Sequence, residues 1–279
     1  MAALDANIDI SDRKARTGAR ASGTSLIGRL GSAAVILFVP ALILLLWWVS
    51  ATRAWVSPQV LPPPIWVFST FVDLSSSGEI VSAAMISFRR IAQGFLIGAT
   101  LGFLFGLLIG HSKSAEAYLG PTFRALAAVP SLGWLPILIL LLGIEEALKM
   151  VILAKACFVP MVICTTEGAR NIPRHLSEVA HVLGVSRTTR FFKLVIPAMA
   201  PFLASGVRLA LSQAFVSLIV VEMLAGTNGL GYMMVWGRTL FQLDIVIVGM
   251  LVVGSVGFLL DLLLKRGEAF IRAESGANG

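Results

Sequence analysis

The segment EGARNIPRHLSEVAHVLGVSRTTRFFKLVIPAMAP, residues 167–201, is polar and basic in a chain that is otherwise mostly apolar. It carries too many ionisable side chains to lie across a lipid bilayer. Its apolar residues nevertheless recur at helical spacing, which indicates a short amphipathic helix. This pattern predicts a folded loop outside the membrane that contacts another surface through one apolar stripe, formed by Leu176, Val179, Ala180 and Leu183.

The composition of the whole chain is that of a membrane protein. Apolar residues make up 57% and charged residues 13%, against roughly 25% charged residues in soluble domains, and the mean hydropathy is +0.88. The net charge of +7 comes from basic residues that fall between apolar segments and form no patch. We therefore expect an all-α polytopic membrane protein that contacts lipid and does not bind nucleic acid.

Six apolar runs predict six transmembrane helices, since a span requires about 20 apolar residues. Residues 1–29 are predicted to form a flexible basic tail, residues 30–266 the membrane domain, and residues 267–279 a C-terminal tail. Prolines 62–64 predict an extended loop, followed by a short surface helix over 65–74. The predicted spans are 30–52, 88–110, 118–143, 148–167, 194–222 and 243–264.

The distribution of basic residues predicts the orientation. If the N-terminus is cytoplasmic, most of the 22 Lys and Arg residues fall on the cytoplasmic side, as the positive-inside rule requires. Both termini and the 167–201 loop are then cytoplasmic. The third span contains Pro130, Gly133 and Pro136, which predict a helix break that only protein or a cavity can cover.

Capping residues delimit the helix within the loop. Asn171 is predicted as its N-cap, Pro173 as its first residue and Gly184 as its stop, so the helix runs over about 173–184. Ser186 is predicted to cap a second helix. Periodicity alone leaves open whether the first helix rests on lipid headgroups or docks in a groove of a cytoplasmic partner.

Three features of the loop carry a family resemblance: Glu178-Val179-Ala180, Gly184 four residues later, and Ile196-Pro197. They resemble the EAA loop of permease subunits of bacterial ATP-binding cassette (ABC) importers, from which they differ in that Val179 replaces an alanine and no residue separates Ile196 from Pro197. Three further segments are similar to the subfamily that imports nitrate, taurine and other sulfonates: LPPP at 61–64, VPSLGWLP at 129–136 and EMLAGTNGLGY at 222–232.

The resemblance implies a type I importer permease in the bacterial inner membrane. It implies a homodimer with two ATPase subunits, which bind ATP and magnesium, and a periplasmic or lipid-anchored substrate-binding protein. This chain itself would bind no cofactor. The 173–184 helix would be a coupling helix seated in a cleft of the ATPase, with contacts from Leu176, Glu178, Val179, Ala180, His181, Leu183, Gly184 and Arg187.

Motifs for chemistry in this chain are missing from the sequence. It contains no G-x-x-x-x-G-K-[ST] phosphate loop, no H-E-x-x-H and no G-x-S-x-G, so neither an ATPase nor an intramembrane enzyme is expected, nor a metal site or catalytic residue. The alternative function is a secondary transporter or channel that is not driven by ATP. A secondary transporter would need buried acidic residues that bind the coupling ion, and it would be expected to lack a loop that docks to an ATPase.

Ionisable residues within the apolar runs are candidates for function, because they are costly in a membrane. Glu222 is expected to pair with Lys155 or backbone donors, or to line the translocation path, and Lys155 to attract an anion or form an ion pair. Arg208 is expected to snorkel or to contact the loop. Taurine, alkanesulfonates, nitrate, aromatic acids and pyrimidine precursors all stay open as solutes. The candidate path residues are Glu222, Lys155, Ser131, Trp134 and Met223.

Overall fold

The computed structural model describes residues 26–53, 55–172, 180 and 182–277. All regular elements in this described part are helical. The chain divides into two units, Met1–Pro64 and Ile65–Gly279, which are described separately.

The first unit contains helix α1, Leu26–Thr52, which covers the predicted span 30–52. Its apolar side chains from Phe38 onward are largely exposed, as a lipid-facing helix requires. The indole Nε1 of Trp47 donates a hydrogen bond of 3.0 Å to the carbonyl oxygen of Pro62, which ties the proline loop to the helix.

Helix α2, Pro64–Ser76, confirms the predicted short helix after the prolines. It begins at the last proline of the run, because the fixed φ of proline suits the first helical position and its missing N–H is not needed there. Pro62 and Pro63 precede the helix without regular structure, as predicted. Within the second unit, the Thr70 hydroxyl donates a hydrogen bond of 2.5 Å to Asp244.

The second unit is a bundle of long helices joined by short turns. Its described elements are α3 (Glu79–His111), α4 (Lys113–Ala128), a 3₁₀ turn (Ser131–Trp134), α5 (Leu135–Leu142), α6 (Glu146–Arg170), α7 (Arg187–Arg190), a π turn (Phe191–Val195), α8 (Ile196–Ala225), α9 (Leu230–Thr239) and α10 (Leu243–Ala277).

Four helical segments in the described part are long and apolar enough to cross a membrane, and a bent pair makes a fifth. That pair is α4 and the Ser131–Leu142 segment, which meet at 86°. The break lies at Val129 and Pro130, where proline disfavours helical backbone in the residue before it. The predicted interruption of the third span is therefore confirmed, whereas the total of six spans stays a prediction.

Two helix boundaries differ from the predicted ones. Helix α3 begins at Glu79, not at residue 88, directly after Gly78 in left-handed backbone. Glu79, Ser82 and Ser87 interrupt the apolar run there, so hydropathy alone does not extend the span to this start. Helix α10 continues to Ala277, so most of the predicted tail 267–279 is helical. In this part of α10, Glu268 forms an ion pair with Arg208 of α8. A hydropathy profile ends the span before such a charge, because it does not include ion pairs between helices.

The closest helix contact, between α3 and α6, depends on a row of glycines at every fourth position of α3. A Cβ atom added at Gly98 would lie 2.1 Å from the carbonyl oxygen of Ala154, a separation that real Cβ atoms do not show. Small residues at this spacing let two membrane helices pack main chain against main chain. Hydropathy did not predict this row, although the G-x-x-x-G repeat in the sequence indicates it. The row comprises Gly94, Gly98, Gly102, Gly106 and Gly110.

Candidate functional site

A buried ionic cluster joins α3, α6 and α8 around Arg90. Its guanidinium donates to Glu222 at 2.7 Å and to both oxygens of Glu146 at 2.6 and 2.9 Å. It also donates to the main-chain oxygen of Asn228 at 2.9 Å and contacts that residue's side-chain oxygen. The side chains of Arg90 and Glu222 are 4% and 0% exposed, whereas Glu146 is half-exposed and also binds Lys149 at 2.7 Å. Nearly complete burial makes the pairing of Arg90 with Glu222 obligatory.

The carboxylate of Glu222 also organises the loop between α8 and α9. It accepts hydrogen bonds from the Ser87 hydroxyl at 2.9 Å and from the Gly231 N–H at 3.0 Å, while Ser87 accepts one from the Leu230 N–H at 3.1 Å. Gly229 has φ of 106°, and a Cβ atom there would lie 2.3 Å from a Glu222 oxygen. Only glycine permits this close approach of backbone to carboxylate.

The prediction of which groups pair with Glu222 is therefore only partly correct. Its backbone donor, Gly231, is confirmed, but its ionic partner is Arg90, near the start of the second predicted span, and not Lys155. Pairing between helices distant in sequence is invisible to a hydropathy profile. Glu222 and Met223 line none of the cavities described below, so the structure does not bring them together with the other path candidates.

Two cavities meet at Lys155, beside the break between α4 and the 3₁₀ turn. Lys155 Nζ donates to the Val129 carbonyl oxygen at 2.8 Å and lies 5.6 Å from the centre of the Trp134 ring. The bond satisfies a carbonyl group at the helix break. Three of the five predicted path residues, Lys155, Trp134 and Ser131, thus lie together here.

The two cavities differ in the chemistry of their walls. The larger, which we call the apolar cavity, has a volume of about 430 Å³ and is lined mainly by aromatic and aliphatic side chains, among them Phe105, Phe123 and Phe158. The smaller, which we call the polar cavity, has a volume of about 230 Å³ and includes Ser131, Gln213 and Ser217. Gln213 and Ser217 come from α8 and were not among the predicted candidates, because no local pattern connects them to the break.

The indole of Trp134 contributes an unused donor at this place. Its Nε1 is buried and has no hydrogen-bond partner within the described residues. A buried N–H group without an acceptor costs free energy. The Lys155 ammonium beside this ring is the group that can bind a negatively charged ligand, because the Val129 carbonyl oxygen takes only one of its three N–H donors.

Arg208 lies in a second ionic group, between α8 and α10. Its guanidinium donates to Glu268 at 3.0 Å and to Asp261 at 3.4 Å, and Lys265 lies 2.6 Å from Asp261. Arg208 therefore pairs with two carboxylates of α10, which the sequence did not indicate. The expectation that it snorkels or contacts the loop stays a prediction, because residues 173–179 lie outside the described part of the chain. This group links α8 to the C-terminal extension of α10, in the region predicted to be a tail.

Only part of the predicted coupling helix belongs to the described residues. Leu176, Glu178, Val179 and His181 lie outside them, as does the side chain of Arg187. Gly184 has φ of 65°, and the Val185 N–H donates to the Ala180 carbonyl oxygen at 3.1 Å, which is how a helix ends on glycine. The predicted stop at Gly184 is confirmed.

The flanks of this helix give one confirmation and one correction. The Thr189 N–H donates to the Ser186 hydroxyl at 3.2 Å, so Ser186 caps α7 as predicted. Asn171, however, closes α6, where its N–H and its side-chain amide both donate to the Glu167 carbonyl oxygen. Asparagine satisfies carbonyl groups at helix ends as well as N–H groups at helix starts, and capping rules alone do not separate the two.

Fold and site define a class: a multi-pass helical membrane protein with buried ion pairs, a broken span and a charged loop. Residues 98–272 match the family described as binding-protein-dependent transport system inner membrane component. The chain belongs to this family, and it is a permease subunit of an ABC importer in the inner membrane.

Similar proteins support the same class. The chain is 37% identical to the putative aliphatic sulfonates transport permease protein SsuC of Bacillus subtilis over 83% of this chain and 84% of that protein. It is 35% identical to the protein of the same description from Escherichia coli, over 82% and 88%. The solved MetNI methionine ABC transporter, in inward-facing conformations, matches with a TM-score of 0.53 at 16% identity, over 71% of this chain and 98% of that chain, and shows the type I importer fold.

Proposed function

We propose that this chain conducts an aliphatic sulfonate across the inner membrane and is driven by a separate ATPase through the 167–201 loop. The observation that carries the substrate class is the 35–37% identity, over more than four fifths of the chain, to two proteins described as aliphatic sulfonates transport permeases. A cavity site with a lysine and no carboxylate agrees with an anionic solute.

The described end of the loop supports docking to an ATPase. Val182 and Leu183 are 84% and 72% exposed beside Gly184, so apolar side chains project from a polar segment. Exposed apolar residues at a helix end are typical of a helix that inserts into a partner's groove. In this proposal two copies of the chain form the pathway, both termini are cytoplasmic, and a substrate-binding protein delivers the solute from the other side.

The function is tested by uptake. Cells that lack the chain, but retain its ATPase and binding protein, are expected to lose uptake of radiolabelled ethanesulfonate and to regain it when the chain is restored. Inactivation of the partner ATPase is expected to abolish uptake as completely as loss of this chain does. Uptake by this chain without the ATPase would instead support a secondary transporter.

Gly184→Trp is expected to reduce sulfonate uptake at least tenfold. A Cβ atom at Gly184 meets no atom of the described residues within 4 Å, so the chain should still fold and insert despite the left-handed backbone, which costs about 1–2 kcal/mol for a residue with a side chain. The indole would instead prevent close seating against the ATPase. The measurements are uptake in cells and co-purification of the ATPase with the tagged chain.

Two controls separate bulk from backbone strain. Gly184→Asn keeps a small residue that tolerates left-handed backbone and should retain most uptake. Gly78→Trp introduces the same indole outside the loop, at a glycine with φ of 78° where a Cβ atom meets no atom of the described residues within 4 Å. It should reduce uptake only slightly. Equal losses in Gly184→Trp and Gly78→Trp would contradict a docking role for the loop.

A further inference from the structure

We propose that the two cavities that meet at Lys155 form one binding site for a linear alkanesulfonate, with the sulfonate group in the polar cavity and the alkyl chain in the apolar cavity. This inference rests on the proposed function and names the part of the substrate that each cavity recognises. The cavities share Lys155, Ala127 and Val159, so one ligand can occupy both.

The polar cavity has the donors that a sulfonate requires. The Lys155 ammonium has three N–H donors, of which the Val129 carbonyl oxygen takes one. Ser131 and Gln213 add a hydroxyl and an amide. The described residues that line the two cavities include no Asp or Glu, so nothing there repels an anion.

The apolar cavity suits a hydrocarbon chain. Phe105, Phe123 and Phe158 form a cluster with ring centres 5.6–6.1 Å apart. Leu126, Leu138 and Val151 complete much of the wall. The volume of about 430 Å³ lies in the range of about 300–1,000 Å³ found for small-molecule sites. A solute without an apolar chain would leave this space without a ligand contact.

The position of Lys155 favours a small solute over a membrane lipid. It lies more than two helical turns from either end of α6, about 13 Å from Glu146 and about 22 Å from Arg170. A phospholipid keeps its charged headgroup at the membrane surface, whereas a short sulfonate moving through the protein passes this depth. The lysine thus lies where a transported anion needs a counter-charge.

The test is a binding titration on the complete complex of this chain with its ATPase subunits, in nanodiscs of uncharged phosphatidylcholine. Calorimetry compares methanesulfonate, propanesulfonate and hexanesulfonate. Each methylene that becomes buried is expected to raise the affinity about fourfold, so propanesulfonate should bind about 15-fold more tightly than methanesulfonate. Lys155→Met should weaken binding of all three, and Lys155→Arg should restore much of it.

A second substitution tests the apolar half. Leu126→Trp fills the apolar cavity and should reduce binding of hexanesulfonate at least tenfold more than binding of methanesulfonate. Leu96→Trp, a matched change at an exposed leucine of α3 outside both cavities, should leave all three affinities unchanged. Size-exclusion elution of each complex shows that it is assembled.

Several results would overturn the inference. One is an affinity that does not depend on the length of the alkyl chain. Another is an anionic lipid that co-purifies with the complex and depends on Lys155, while no sulfonate binds. A third is a Leu126→Trp variant that loses its dimer but not its affinity for hexanesulfonate. Failure of the proposed function is separate: cells without the chain would still take up sulfonates, while the purified complex bound hexanesulfonate with the expected dependence. The reverse outcome is normal uptake of sulfonates with an affinity that does not depend on alkyl-chain length. It would contradict the proposed site and leave the proposed function supported.

Discussion

Arg90→Met is expected to lower the free energy of unfolding by about 3–5 kcal/mol, the range for removal of one partner of a buried ion pair. The substitution leaves Glu222, which is 0% exposed, with a charge and no cation. It also removes the guanidinium contacts to Asn228, so the loop before α9 loses an anchor. Denaturant titration of the purified chain, followed by tryptophan fluorescence, measures the effect.

Two further variants make this prediction specific. Arg89→Met removes the neighbouring arginine, which is exposed, and should change the unfolding free energy by about 0.5 kcal/mol or less. The double variant Arg90→Met, Glu222→Leu removes both buried charges and should be more stable than Arg90→Met alone. If the double variant were the less stable of the two, the assignment of the cost to an unpaired carboxylate would be wrong.

Gly98→Val is expected to destabilise the chain by about 3 kcal/mol, the upper part of the usual range for overpacking. The added Cβ atom would lie 2.1 Å from the main-chain oxygen of Ala154, which cannot rotate away as a side chain can. Helices α3 and α6 would have to separate along much of their contact. The measurement is the same titration, together with the yield of folded chain in the membrane.

Gly254→Val is the matched control, because Gly254 lies within α10 and a Cβ atom there meets nothing within 4 Å. Valine and glycine differ little in helix propensity, so propensity contributes only a few tenths of a kcal/mol to either variant. Similar losses for the two variants would show that the row of glycines does not hold α3 against α6.

Local features of the fold could be predicted from the sequence. The short helix after the prolines, the break at Pro130, the stop at Gly184 and the cap at Ser186 each depend on a few neighbouring residues, although the helix begins at Pro64, one residue before its predicted start. The start of α3 could not be predicted, because Glu79, Ser82 and Ser87 interrupt the apolar run before residue 88. The hydroxyl of Ser87 is satisfied by Glu222, a residue far along the chain.

The candidate site was predictable only where its residues are close in sequence or share one apolar run. Ser131 and Trp134 belong to one broken segment, and Lys155 is a cation well inside its apolar run, so inspection of the runs finds all three. Gln213 and the pairing of Arg90 with Glu222 depend on how helices meet, which periodicity does not encode. The coupling residues Leu176, Glu178, Val179 and His181 stay predictions.

The row of glycines also determines how force can travel through the second unit. Because α3 and α6 touch through main-chain atoms, no rotamer change can absorb a displacement between them. A displacement applied where α6 ends at Arg170, beside the loop, is therefore expected to move α3 as well, as far as the opposite end of the pair, where Arg90 and Glu146 lie. The backbone can bend at the turn of Val129 and Pro130 and at Pro160 within α6, so these are the places where the motion can be absorbed.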